Sequence, residues 1–184
     1  MNSPEELSSH CKRVSEMAYE FGVYLGLSTE ELNNLKLGAF LHDIGKIEIS
    51  QDILFKKEIT NEEFEMIKEH STKGYNLLTI SNCNLPKDSL DIVLQHHERI
   101  DGNGYPFKLK GNEINDLAKI TSLCDVYDAI TNTRSYKQAF DDSYALQQIQ
   151  NGLNSQFDKL YGEKFIEYIQ MTKLNNFNLA ESIG

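Results

Sequence analysis

The chain has 184 residues, of which 40% are hydrophobic, with nine Tyr, nine Phe and no Trp. That is enough for one domain with its own core and excludes a disordered chain. A net charge of −10 excludes sequence-independent binding to DNA or RNA polymers, which needs a basic surface to displace counterions. A small phosphorylated ligand stays compatible, because a few local cations reverse the sign inside a pocket.

The elements follow one another as helices. Ser3-Pro4-Glu5-Glu6 has the form of a capping box with Pro at the first helical position, and its helix is predicted to reach about Tyr24 and stop near Gly26. Ser28-Thr29-Glu30-Glu31 opens a second helix, through Phe40 to about Ile44. Ile47 to Ile49 is at best a short extended piece. Thr60-Asn61-Glu62-Glu63 opens a third helix running towards His70, and a fourth spans Thr72 to Ile80. Pro86 begins a fifth, carrying LDIVLQHHE, and residues 99–116 form a glycine-punctuated loop. Leu117 to Ile130 reads as a buried apolar helix, and two more follow near Asp142–Gln150 and Glu163–Met171. The prediction is an all-α, irregular bundle of seven to eight helices forming a single domain over residues 1–184.

Cys11, Cys83 and Cys124 are odd in number, far apart and without a CxxC spacing, so a disulfide scaffold is not expected. The polar N-terminus MNSPEELSSH lacks the apolar stretch of a signal peptide. The longest apolar run, Leu37 to Leu41, is far too short to cross a bilayer. The expectation is a cytoplasmic protein without a membrane association.

Polar groups in apolar surroundings carry the chemistry. LGAFLHDIGK places His42 and Asp43 at the end of an apolar helix, DIVLQHHE does the same for His96 and His97, and SLCDVYDAI sets Asp125 inside a third. A lone histidine on an apolar face is usually a satisfied core residue, and HD or HH alone means little. Three helices that each bring a costly polar group inward are another matter. A shared metal site explains all three, and a first-row transition metal accepts mixed imidazole and carboxylate donors.

The segments HDIGK, HHERIDGNGYP and DVYDAITNTRSY resemble the HD-GYP phosphohydrolases, a branch of the HD superfamily. The resemblance runs from HCKRV through HDIGKI and the KEH at Lys68–His70 to FDKLYGEKF, and the GYP loop after HHE is its most specific part. It implies a bacterial metal-dependent phosphodiesterase that opens cyclic di-GMP by metal-activated hydroxide attack, with the linear dinucleotide or GMP as the end product. It also implies two or three divalent transition metals, iron or manganese. The implied ligands are His42, Asp43, His70, His96, His97 and Asp125, with Asp43 bridging. Glu6 and His10, four residues apart on one helix face, would hold a third ion. Lys46, Arg134 and Lys137 would address phosphate oxygens, and Tyr105 would line the ligand groove. Glu98 and Asp128 would orient ligands.

The family pattern usually has proline where this chain has Ser50 and Lys159, positions that bear no ligand. Family members commonly carry an N-terminal sensory domain, whereas only nine residues precede His10 in this sequence; a regulatory or sensor partner protein is compatible with this, and so is a longer sensor protein of which the chain is a part. The rival expectations are a cyclic-dinucleotide receptor that does not cut its ligand and a hydrolase of another nucleotide, such as cyclic GMP-AMP. A di-iron protein for oxygen chemistry fits less well, because Lys46 and Arg134 suit phosphate.

Overall fold

The computed structural model describes residues 4–81, 84–132 and 140–181, with side chains to residue 174. Its α-helices are α1 Pro4–Leu25, α2 Thr29–Leu41, α3 Gln51–Leu54, α4 Asn61–Lys68, α5 His70–Ile80, α6 Lys87–Gln95, α7 Asp116–Thr131, α8 Asp142–Gly152 and α9 Lys159–Glu181, with 3-10 turns at Ile44–Glu48 and Gly111–Glu113. No strand occurs among the described residues, and no helix there is long and apolar enough to cross a membrane. The all-α expectation holds, with the four-residue α3 as an addition.

Several helix ends are set by the signals read from the sequence. In α2 the Ser28 hydroxyl accepts from the Glu31 amide while the Glu31 carboxylate accepts from the Ser28 amide, and Thr60 and Glu63 do the same for α4. The Ser3 box lies outside the described residues. Gly26 ends α1 at φ +76°, and Leu27 N–H donates back to Gly22 O at 3.1 Å, the left-handed stop that favours glycine.

α7 is the centre of the bundle and packs against α1, α2, α6, α8 and α9. It buries Leu117, Ala118, Ile120, Leu123 and Cys124, against which Val14, Phe21, Leu35, Ile92, Ile149 and Phe165 complete a continuous apolar core. Removing a large side chain there, such as Phe165, opens a cavity and costs on the order of 3–5 kcal/mol.

Several boundaries differ from expectation, the end of the last helix among them, at Glu181 instead of about Met171. α2 stops at Leu41 instead of Ile44, and Ile44–Glu48 tightens into a 3-10 turn that also absorbs most of the expected extended piece. Gly45 is the reason: a Cβ there would lie 1.9 Å from His70 O and 2.4 Å from Gly74 N, so this turn rests backbone on backbone against α5. α5 starts at His70, two residues early. α6 ends at Gln95, which leaves His96 as its C-cap and His97 beyond it. α9 begins at Lys159 because the Asp158 carboxylate accepts from the Leu160 and Tyr161 amides, an N-cap. Lys159 therefore occupies the first helical position, where proline is tolerated, and Ser50 stands just before α3.

Candidate metal centre

Five elements deliver the polar residues to one place. α1 brings His10, the end of α2 brings His42 and Asp43, α5 brings His70, the end of α6 brings His96 and His97, and α7 brings Asp125. His10, His42, Asp43, His70 and His96 are all at most 2% exposed.

Asp43 sits between two groups of donors. Its Oδ1 lies 3.3 Å from His70 Nε2 and 3.9 Å from His96 Nε2, and its Oδ2 lies 3.5 Å from His42 Nε2 and 3.9 Å from His10 Nε2. Asp43, His70, His96 and His97 form one set of potential ligand atoms within 4.8 Å of one another; His10, His42 and Asp43 form a second. Asp125 Oδ1 faces the second set, 3.0 Å from His10 Nε2 and 3.9 Å from His42 Nε2. Glu6 lies one turn before His10 on α1 but is not among either set of gathered atoms.

The hydrogen bonds fix which ring nitrogen faces inward. The Nδ1 atoms of His42, His70 and His96 lie 2.7, 2.7 and 3.0 Å from the carbonyls of Ala39, Ile67 and Val93. A carbonyl only accepts, so these nitrogens carry the proton and the Nε2 lone pairs point at Asp43 and at each other. His70 Nε2 and His96 Nε2 stand 3.2 Å apart. Burial keeps both rings neutral: it lowers the pKa of His70 to about 4 and that of His96 well below the ordinary value. Burial likewise lowers His97 to about 3. Converging lone pairs repel unless a cation lies between them.

The buried His42 Nε2 and Asp43 Oδ1 find no hydrogen-bond partner within the protein. Orphaned buried acceptors of this kind are costly, and metal coordination satisfies them. The donor set of imidazoles and carboxylates fits divalent transition metals.

His10 is held differently. Its Nδ1 lies 2.6 Å from Asp128 Oδ2, and Arg13 binds the same carboxylate through Nε at 2.6 Å and Nη2 at 2.8 Å. Burial opposes charge on His10, but Asp125 and Asp128 outweigh it and raise its pKa to about 9. Burial also opposes ionisation of Asp43, yet the Lys46 ammonium beside it holds its carboxyl well below the usual range. The Lys46 ammonium lies 2.5 Å from Asp43 Oδ2 and also lines the adjacent cleft.

The glycine loop closes one side. Gly104 lies so near the chain that a Cβ would be 2.4 Å from Arg99 N and 2.6 Å from His97 O. Tyr105 N–H donates to His97 O at 3.2 Å, and the Tyr105 ring stacks on His97 with centroids 4.7 Å apart. Glu98 does not orient a ligand as expected: its carboxylate accepts from the Phe107 and Leu109 amides at 2.7 and 3.0 Å and so shapes the loop. Asp128 instead holds the ring of His10, a member of the second donor set. Arg13, which grips Asp128 from α1, carried no distinguishing signal in the sequence. Arg134 and Lys137 lie outside the described residues.

A cleft of about 370 Å³ opens from His70, His97, Lys46 and Tyr105 towards α3 and α4. Three lysines, Lys46, Lys56 and Lys57, line it despite the acidic body.

Residues 1–160 match the HD domain family model. The chain is 39% identical over 140 residues to the cyclic di-GMP phosphodiesterase response regulator RpfG of Xanthomonas campestris, covering 76% of this chain and 37% of that protein. It is 37% identical over 163 residues to a cyclic di-GMP phosphodiesterase of Thermotoga maritima, covering 88% and 43%. It is also 32% identical over 165 residues to the 3'3'-cGAMP-specific phosphodiesterase 2 of Vibrio cholerae, covering 89% and 31%. The chain thus spans about two fifths or less of the length of these relatives. In fold it is similar to the HDG"Y"P protein Bd1817 of Bdellovibrio bacteriovorus, with a TM-score of 0.73 at 19% identity over 89% of this chain and 52% of that one. Matching family model, GYP loop and buried histidine–aspartate cluster agree: the chain belongs to the HD-domain family, in its HD-GYP branch.

Proposed function

We propose that the chain is a metal-dependent phosphodiesterase that opens a cyclic dinucleotide, cyclic di-GMP first among them, to the linear dinucleotide. The observation that carries this reading is Asp43, whose two oxygens face different sets of imidazoles and suit a carboxylate shared by two ions. The ligand set proposed is His42, Asp43, His70, His96, His97 and Asp125 with His10, for iron or manganese; a third ion would draw on Glu6 with His10.

Divalent metal bound there supplies Lewis-acid polarisation of a phosphoryl oxygen and a water of lowered pKa. In the net reaction a water oxygen bonds to phosphorus, one ribose-oxygen–phosphorus bond breaks, and the leaving ribose oxygen takes a proton. The protein's own side chains do the positioning. Lys46 neutralises Asp43 and presents its ammonium at the cleft floor, where the phosphate charge arrives. Tyr105, stacked on His97, forms a fixed wall beside that phosphate. Arg134 and Lys137 are proposed to hold the phosphate oxygens, and Arg134→Ala and Lys137→Ala should keep metal and each lose on the order of 1.5–3 kcal/mol of substrate binding.

The similarity to a 3'3'-cGAMP-specific phosphodiesterase of Vibrio cholerae favours one second reading, hydrolysis of 3'3'-cGAMP. Metal analysis and turnover of cyclic di-GMP and 3'3'-cGAMP, side by side on anaerobically purified protein, test both. Rapid opening of one ring with bound iron or manganese supports the proposal. Tight binding without turnover would make the chain a receptor.

A further inference from the structure

Beyond the histidines, the cleft continues to a wall that phosphate chemistry alone does not require. α3, the connection after it and α4 build this wall, and it presents Leu54, Phe55, Ile59 and Phe64. None of α4's residues is buried, so its apolar side chains are not core residues of the bundle. Phe64 is 44% exposed and Ile59 41% exposed, yet both line the cleft. Lys68 ties this wall to the glycine loop: its ammonium lies 4.8 Å from the Phe64 ring centroid and 5.6 Å from that of Tyr105. The two rings on either side of the cleft mouth are therefore held through one cation.

We propose that this wall is a nucleobase subsite. The assignment rests on the cyclic-dinucleotide reading above. With one phosphate at the histidines, one base of the ring lies against Phe55 and Phe64, and the exposed Lys57 at the cleft edge meets the sugar–phosphate ring. A volume of about 370 Å³ sits at the lower end of small-ligand pockets, which fits one half of such a ligand rather than the whole. The apolar, aromatic far side and the cationic edge match a base and a phosphodiester in that order. Stacking on an aromatic face tolerates any base. The subsite therefore sets affinity and leaves the choice between guanine and adenine to other groups.

The test uses the full chain loaded with manganese. Phe55→Leu and Phe64→Leu keep apolar bulk and remove the π-face; Phe64→Tyr keeps it. KM and kcat are measured for cyclic di-GMP and for bis(p-nitrophenyl) phosphate, whose rings bond directly to phosphate and lack the ribose that would carry them to the far wall. Equilibrium binding of cyclic di-GMP is measured by calorimetry. Each Leu variant should raise KM for cyclic di-GMP relative to KM for the aryl ester by about tenfold, with a matching loss in binding and little change in kcat. Phe64→Tyr should restore the ratio. Unchanged ratio and unchanged binding in both Leu variants would overturn the subsite. If the wild type binds cyclic di-GMP through these phenylalanines but cuts neither compound, the subsite stands and the phosphodiesterase reading falls. Absence of any cyclic di-GMP binding by the wild type overturns both.

Discussion

The two sides of Asp43 are built by different means. On one side, His70 and His96, like His42 on the other, fix their tautomers with carbonyls three residues back in the chain, Ile67 of α4, Val93 of α6 and Ala39 of α2. On the other, His10 depends on Asp128, which is 118 residues away in sequence and is itself gripped by Arg13. A carbonyl gives a neutral, pre-aimed ligand wherever the helix forms. A carboxylate gives a more basic ligand, but only once α1 and α7 have packed. One side is thus specified locally, while the other joins a locally fixed His42 to a His10 specified by tertiary structure.

Breaking the shared element should have the largest effect. Asp43→Asn is expected to lose metal from both sides and all measurable turnover, checked by elemental analysis beside the activity assay. His97→Ala should empty its own side first; a fully active His97→Ala would sink the ligand assignment. Next come the supports of His10. Asp128→Asn is expected to weaken metal binding on that side by roughly 10–100-fold while the His70–His96 side keeps its ion, and Arg13→Met should do the same to a smaller degree. A titration in which Asp128→Asn strips both sides equally would erase the distinction. Glu6→Gln should remove only a third ion and leave the thermal stability of the metal-free protein nearly unchanged, since Gln caps almost as well as Glu. Unchanged metal content would assign Glu6 to the helix alone. Smallest is Ser28→Ala, which should cost about 1 kcal/mol of stability in a denaturant melt with no change in metal content.

The same contrast explains what could be read from the sequence. Helix order and starts were legible at Ser28 and Thr60, because a capping box is a local agreement between residues three apart. The end of α2 was not, because Gly45 acts through a contact with His70 and Gly74 that no local pattern encodes. The start of α9 was within reach, since Asp158 carries an ordinary cap signal. At the site, His42, Asp43, His70, His96, His97 and Asp125 come together much as the motifs implied. The structure sets Glu6 apart from the gathered donors, and Glu98 turned out to serve the loop. Arg13 escaped notice because an arginine on a polar helix face usually means solvent.

The carboxylate of Glu98 has a consequence for motion. It is only 4% exposed, it follows directly after His96 and His97, and it accepts amides from Phe107 and Leu109. The loop that carries Tyr105 is thereby fastened to the end of α6 and cannot swing open on its own. Its amides at Phe107 and Leu109 should exchange with deuterated solvent as slowly as those of α6. The amides of residues 55–60, which connect α3 to α4 across the cleft, should exchange much faster. Adjustment to an incoming ligand therefore falls to that side of the cleft, and the Tyr105 side serves as the fixed jaw.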